Sequence, residues 1–306
     1  MRSSLHPALL ALETHFSPSI LSQITHELLT QHRVELWLKR DDCLHPIISG
    51  NKWRKLKYHL NHALSVKATT LVSMGGAYSN HLHALAYLGQ HLHLKTVAYI
   101  RGEQPARLTP TLRDALAWGM TLQFISRTDF RLLRYATPTE LFRPLQATDY
   151  WLPEGGAHPR ALLGVTELVT EITEDFDVLC VPCGTGTTLA GLLPAVPAHC
   201  QVLGFAAVRH GQFLTRDITT LLPRTYPNWS INTAYDFGGF AKTSPTLLHF
   251  IAAFECQHAI PLEPVYTGKM LYGLFDLIRQ GYFAPGTKII ALHTGGLQGN
   301  RGFTKD

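Results

Sequence analysis

The chain has 306 residues, 45% hydrophobic and 16% charged, with 27 Lys and Arg against 22 Asp and Glu for a formal charge of +5. That length suits about two domains with substantial cores, and the balance excludes disorder, collagen-like repeats and a coiled coil. The basic residues are scattered, not gathered into runs with interleaved aromatics, which argues against nucleic-acid binding and fits a mildly basic cleft for an anionic small molecule.

In chain order, His6, Glu13 and His15 interrupt the Leu-rich stretch 1–18, and no small-residue cleavage site follows. No signal peptide is expected. No apolar run approaches the roughly 18–20 residues of a membrane span, so the expectation is a cytoplasmic protein, in which the sequon Asn228-Trp229-Ser230 stays unglycosylated. Strand-like runs fall at residues 34–39, 70–73, 96–100, 122–125, 178–181, 202–206 and 288–293. Helical stretches lie between them at 54–65, 80–90, 110–118, 161–172 and 271–281. This alternation predicts an α/β architecture with mainly parallel sheets. The Gly155-Gly156 turn is the best candidate for one crossing between domains.

Four segments carry the chemistry. The first is Lys39-Arg40-Asp41-Asp42 followed by Ser49-Gly50-Asn51-Lys52-Trp53-Arg54-Lys55-Leu56. Asn51 reads as a helix N-cap, which places Lys52 at the positive end of the helix, where a cation is disfavoured. Arg54, Lys55 and Lys57 crowd the same turn, so Lys52 is expected to lose its proton easily, as a lysine that attacks a carbonyl must. A solvated basic helix face is the alternative reading of this segment alone.

The second segment, Gly75-Gly76-Ala77-Tyr78-Ser79-Asn80-His81, follows a strand. A glycine pair with Ser and Asn capping the next helix presents backbone N–H groups and small polar side chains to a ligand. The third, Cys183-Gly184-Thr185-Gly186-Thr187-Thr188, lies between a strand and a helix. Its glycines admit a close phosphate and its threonines add donors, without the Lys of a P-loop or the spacing of a dinucleotide fingerprint. A monophosphate is the expected guest. The fourth pairs Pro264-Val265-Tyr266-Thr267-Gly268-Lys269 with His293-Thr294-Gly295-Gly296. Ordinary turn chemistry would also explain the last three segments taken singly.

The five Cys, at 43, 180, 183, 200 and 256, do not suggest a disulfide framework. Cys180 and Cys183 spell CxxC, but they sit in an apolar strand with no second pair to complete a metal site. The pairs His81/His83 and His91/His93 lie in expected helix, where i and i+2 face different ways, so no metal is expected.

In this order, SGNKWRKL, GGAYSNH, PVYTGK and HTGG resemble the family of D-cysteine desulfhydrase and 1-aminocyclopropane-1-carboxylate deaminase, enzymes dependent on pyridoxal 5′-phosphate (PLP). The resemblance runs from about Leu38 to Gly299. It implies a tryptophan synthase β-like, fold type II architecture of two three-layer α/β domains. Residues 1–54 with 165–306 would form the large PLP-binding domain and 55–164 the small one, usually in a homodimer. By the same resemblance Lys52 would hold the cofactor as a Schiff base, Asn80 would meet its phenolic oxygen, and Gly184, Thr185, Gly186, Thr187 and Thr188, with Lys55, would hold its phosphate. Thr294 would face the pyridine nitrogen. Lys52, Ser79 and Tyr266 would be catalytic, and Tyr78, Ser79, Asn80, His81 and Tyr266 would bind the substrate.

The implied reaction is Cα deprotonation and β-elimination on a small amino acid, giving a 2-keto acid and ammonia. Ring opening of the cyclopropane substrate, racemisation and a PLP-binding protein without turnover are the alternatives. Three positions depart from the family's pattern. Tyr78 stands where Gln is common, and Ile290, Ala291 and Leu292 stand where the cyclopropane deaminases have a second Tyr. Leu297-Gln298-Gly299-Asn300 replaces a Pro-Ala-Leu pattern.

Overall fold

The computed structural model describes residues 5–48, 50–142 and 144–303. Ser49, which opens the lysine segment, lies outside the described residues. The strands are β1 (Leu21–Ile24), β2 (Glu35–Arg40), β3 (Thr70–Gly75), β4 (Lys95–Arg101), β5 (Met120–Ile125), β6 (Asp149–Trp151), β7 (Val178–Cys183), β8 (Gln201–Ala206), β9 (Trp229–Asn232) and β10 (Lys288–His293). They form two sheets, ordered β1-β2-β10-β7-β8-β9 and β5-β4-β3-β6. Every pairing is parallel except β1 with β2.

Parallel strands need cover on both faces, and the alternation of side chains shows how it is met. Along β10, Ile289 and Ala291 enter one apolar cluster with residues of helices Pro245–His258 and Thr267–Arg279. Ile290 and Leu292 enter another with Leu162, Val165, Leu189 and Leu192. The four-stranded sheet is likewise covered, by helices Asn51–Ser65, Asn80–His91 and Pro110–Ala117 on one face and by Phe130 and Leu133 of Arg127–Leu133 on the other. Each sheet is thus the middle of three layers. Leu9, Leu12, Ile48 and Trp53 pack into the cluster of the four-stranded sheet, although the expected division assigns residues 1–54 to the larger half.

The sequence reading overlaps seven of these strands and does not find β1, β6 and β9. All three lie at sheet edges and carry mixed burial, so no continuous apolar run marks them. Gly155-Gly156 is a tight turn after β6, with φ of +63° at Gly155, where a Cβ would stand 3.1 Å from Thr185 Cγ2. At this turn the loop after β6 comes against the loop after β7.

The CxxC segment lies on β7, where residues three apart point to opposite faces. Cys180 belongs to one cluster and Cys183 to the other, both buried as free thiols. His81 bonds Ser73 and His83 bonds Asp114. Among the described residues no group of three or more His, Cys, Asp or Glu could hold a metal ion. No helix among them is long and apolar enough to cross a membrane.

Candidate active site

In open parallel sheets ligands bind beyond the carboxyl ends of the strands, where the strand order reverses. Both sheets have such a point. In the larger one it lies between β7 and β10, and in the smaller between β3 and β6. The four loops that leave these strand ends face one another across a cleft of about 1060 Å³. The loop after β7 supplies Gly184 to Gly186, the end of β10 supplies Thr294 and Gly295, β3 is followed by Gly76 to His81, and β6 by Pro153 to Gly155. Helix Asn51–Ser65 enters the same cleft with Asn51, Lys52 and Lys55.

The lysine reaches this position by a close backbone approach. Gly50 has φ of +70°, and a Cβ on it would lie 1.8 Å from the carbonyl oxygen of Thr294. Only glycine fits. The Asn51 N–H donates to that carbonyl at 3.3 Å, so the His-Thr-Gly-Gly turn and the lysine loop are locked together. His293 shapes the turn, since its Nδ1 accepts from the Gly295 N–H at 3.2 Å.

Two expectations about this helix are corrected. Asn51 is its first residue, with Gly50 in the cap position and no side-chain cap; the Asn51 amide instead donates to Thr188 Oγ1 at 2.9 Å and accepts from Lys52 Nζ at 2.8 Å. Nor do Arg54 and Lys57 crowd the lysine. Arg54 is clamped by Asp41 and Glu171, and Lys57 by Glu13 and Glu167, because positions 54 and 57 face away from position 52. What lowers the Lys52 pKa, to about 8, is burial, partly offset by the charge of Glu263.

Lys55 does share the lysine's face. It is 5% exposed, with no hydrogen bond or ion pair among the described residues, and burial and Lys52 push its pKa well down. A buried cation without a partner is costly, and a bound anion would relieve it. The opposite wall offers the cradle. Thr185 Oγ1 and Thr187 Oγ1 lie 2.9 Å apart, and Gly186 has φ of +73°. A Cβ on Gly184 would press 3.0 Å from the Tyr266 ring.

Every candidate site residue lines the cleft except Thr187, whose side chain is fully buried behind the loop. Ser79 caps helix Asn80–His91, its Oγ accepting from the Leu82 N–H at 3.2 Å. His81 is fixed in one neutral tautomer. The Ser73 hydroxyl gives its only proton to the Leu152 carbonyl at 2.8 Å, so at 2.9 Å it accepts from His81 Nε2–H. Its Nδ1 is left as a buried acceptor without a partner among the described residues, and burial, Lys52 and Lys55 hold the ring far below its usual pKa. Burial also raises the Tyr266 phenol.

Sequence reasoning missed Glu263. Its carboxylate accepts from the N–H groups of Val265, Tyr266 and Thr267 at 2.7, 2.9 and 2.5 Å, and burial raises its pKa to about 7. The signal was a carboxylate just ahead of the Pro-Val-Tyr-Thr-Gly-Lys run, where a helix start favours an anion. Arg101, Arg127, Arg134, Arg209 and Arg216 around the cleft were also missed; they come from four separate segments and make no run. Arg134 pairs with Glu154 and Arg216 with Asp217.

A lysine kept partly neutral on one wall and a glycine-threonine anion cradle on the other are what an aldehyde bearing a phosphate requires. Set between two parallel α/β domains, they define the class of PLP enzymes with the tryptophan-synthase-like fold. The chain belongs to the pyridoxal-phosphate dependent enzyme family, whose model matches residues 22–295. It is 32% identical over 280 residues to a protein of Pyrococcus horikoshii provisionally named 1-aminocyclopropane-1-carboxylate deaminase, covering 87% of this chain and 85% of that one. A mitochondrial protein of Arabidopsis thaliana named bifunctional D-cysteine desulfhydrase/1-aminocyclopropane-1-carboxylate deaminase is 28% identical, covering 87% of this chain and 73% of its own. The crystal structure of an ACC deaminase homologue superposes with a TM-score of 0.80 at 30% identity, over 97% of both chains. An O-acetylserine dependent cystathionine beta-synthase from Helicobacter pylori shares the fold, with a TM-score of 0.67 at 12% identity over 96% of this chain and 97% of that one.

Proposed function

We propose that this chain is a PLP-dependent lyase or deaminase that removes the Cα proton of a small amino acid and expels a group from Cβ, the released enamine taking up water to give a 2-keto acid and ammonia, as a D-cysteine desulfhydrase does. One observation carries the reading: Lys52, with its pKa near 8, stands in the cleft that also holds Gly184, Thr185, Gly186 and Thr188 and a Lys55 that has no hydrogen bond or ion pair among the described residues. The names of the relatives point to the same chemistry.

When bound, PLP delocalises the negative charge that develops at a substrate's Cα. Lys52 would hold the aldehyde, and its amine is the base that would take the Cα proton. The loop Gly184–Thr188 and Lys55 would hold the phosphate. Asn80 would meet the phenolic oxygen and Thr294, a neutral partner, the pyridine nitrogen. Ser79 and the start of its helix receive the substrate carboxylate, and Tyr266 closes the wall above Gly184. Ring opening is the weaker variant here, because Ile290, Ala291 and Leu292 are buried in the core of β10 and bring no tyrosine to the cleft. The five thiols among the described residues are all free, which supports a reducing, cytoplasmic setting, and a homodimer is the expected assembly.

The test is a visible spectrum of the protein with PLP, before and after borohydride, beside Lys52→Ala, followed by keto-acid release from D-cysteine, D-serine, β-chloro-D-alanine and 1-aminocyclopropane-1-carboxylate. Covalent attachment at Lys52 with pyruvate from the first three is the expected result. Attachment without turnover of any of the four would overturn the lyase reading, and absence of attachment would overturn the site.

A further inference from the structure

The side-chain oxygen of Asn80, a candidate cofactor contact that follows β3 of the smaller sheet, is held by a residue that follows β10 of the larger one. Gln298 Nε2 donates to Asn80 Oδ1 at 2.8 Å. Gln298 lies on the short helical turn Leu297–Gly302 after β10, while Asn80 opens the helix that follows β3. The turn is anchored on both flanks. Asn300 Nδ2 donates to the Leu262 carbonyl at 3.0 Å, and Arg301 Nη2 pairs with Asp114 at 2.5 Å. Gly296, with φ of +85°, lets this turn come close, since a Cβ there would stand 2.4 Å from Asn80 Nδ2.

An asparagine amide presents either an oxygen that accepts or a nitrogen that donates, and which one faces a ligand is set by what holds the other. With its oxygen engaged by Gln298, Asn80 is left with N–H hydrogens to offer. We propose that Gln298 is a positioning residue, which fixes the Asn80 amide so that its nitrogen donates toward the cofactor's phenolic oxygen. The inference rests on the reading of Asn80 as the residue at that oxygen. It also gives a role to a tail position that departs from the family's usual pattern.

Two substitutions separate positioning from mere packing. Gln298→Ala removes the donor and leaves the Asn80 amide free to turn either way. Gln298→Glu supplies an acceptor of the same length, which draws the Asn80 nitrogen to itself and turns its oxygen toward the phenolic oxygen, acceptor against acceptor. Cofactor-free protein is titrated with PLP, and the visible spectrum of the loaded protein is followed against pH, with thermal melting as a check on folding. The expected order of PLP affinity is parent, then Gln298→Ala weaker by about threefold, then Gln298→Glu weaker by about tenfold, close to Asn80→Ala. The spectral titration midpoint moves in the same order. In Asn80→Ala, the additional change Gln298→Glu costs nothing more.

Equal loss in Gln298→Ala and Gln298→Glu, tracking only the melting temperature, would overturn the positioning role. So would unchanged PLP binding and spectra in both variants while Asn80→Ala weakens binding. If Asn80→Ala itself leaves affinity and spectrum unchanged, the placement of Asn80 at the cofactor fails first, and the proposal with it.

Discussion

Lys52 Nζ donates to the side-chain oxygen of its neighbour Asn51 at 2.8 Å. The Asn51 nitrogen donates to Thr188 Oγ1 at 2.9 Å, so one amide joins Lys52 to the loop that ends at Thr188. The neutral acceptor matters because a carboxylate at the same place would favour the ammonium form. Asn51→Asp is therefore expected to raise the Lys52 pKa from about 8 by roughly one unit and to slow PLP capture about tenfold at pH 7. Stopped-flow absorbance of the cofactor-free protein mixed with PLP measures this directly; an unchanged rate would remove Asn51 from the site's electrostatics.

The pH dependence of the parent protein follows from the same lysine. Below pH 8 the neutral amine falls about tenfold per pH unit, so PLP capture rises with pH to a plateau above 8. Stability has the matching sign. The unfolded chain keeps Lys52 protonated up to its ordinary value of 10.5, while the fold releases the proton near 8. Between these values the unfolded state binds more protons, and the cofactor-free protein gains stability as pH rises. Lys52→Met removes the cost of burying the ammonium, and its melting advantage over the parent should be largest below pH 8 and vanish toward 10.5.

Gly50→Ala tests the close approach that sets the lysine in place. Its φ of +70° and the 1.8 Å clash with the Thr294 carbonyl act together, and a loss of at least about 2 kcal/mol is expected. Gly102 has φ of +100° with nothing within 4 Å, so Gly102→Ala measures strain alone, about 1 kcal/mol. Chemical denaturation of both variants gives the difference, and PLP affinity should fall only in Gly50→Ala.

Much of this was legible in the sequence, for reasons that differ by level. Parallel strands such as Val178–Cys183 are covered on both faces and read as apolar runs; edge strands such as Asp149–Trp151 are not. The candidate loops stood out by their order along the chain, because each glycine-rich turn taken singly reads equally well as ordinary turn chemistry. The cause of the lysine's low pKa was misread, since Arg54 and Lys57 look like neighbours of Lys52 in the chain, yet Asp41 and Glu167 draw them to the opposite face. The charge of Glu263 on Lys52 and the arginines of the cleft rim come together only when separate elements meet, and no local pattern encodes that meeting.

Arg54 is the structural counterpart of Lys52 on the same helix. It makes a two-pronged contact with Asp41, 2.9 Å on each side, and both residues are buried. Asp41 also accepts from Ser19 Oγ at 2.6 Å. Removing one member leaves a buried charge uncompensated, so Asp41→Asn should cost about 3–5 kcal/mol. A melting curve with a drop of only a degree or two would show that Glu171, the guanidinium's second partner, suffices alone.

Tyr78 is the place to look for substrate choice. It lies in the cleft wall, 42% exposed, on the residue ahead of the Ser79 cap. Its ring lies close against Gly302, where a Cβ would stand 2.6 Å from Cε1, so the tail backs the ring and holds it at the mouth of the site. If Tyr78 meets the substrate, a ring held this way would act by shape and by its hydroxyl, with no part in holding a phosphate. Tyr78→Gln should then shift the ratio of kcat/KM between D-cysteine and D-serine by about tenfold, the scale of one altered pocket contact, while PLP affinity and spectrum stay at the parent values. Tyr78→Phe separates the two contributions: a ratio that moves in Gln but not in Phe assigns the selection to the ring, and one that moves equally in both assigns it to the hydroxyl. A fall in PLP affinity in Tyr78→Gln would place the side chain at the cofactor instead.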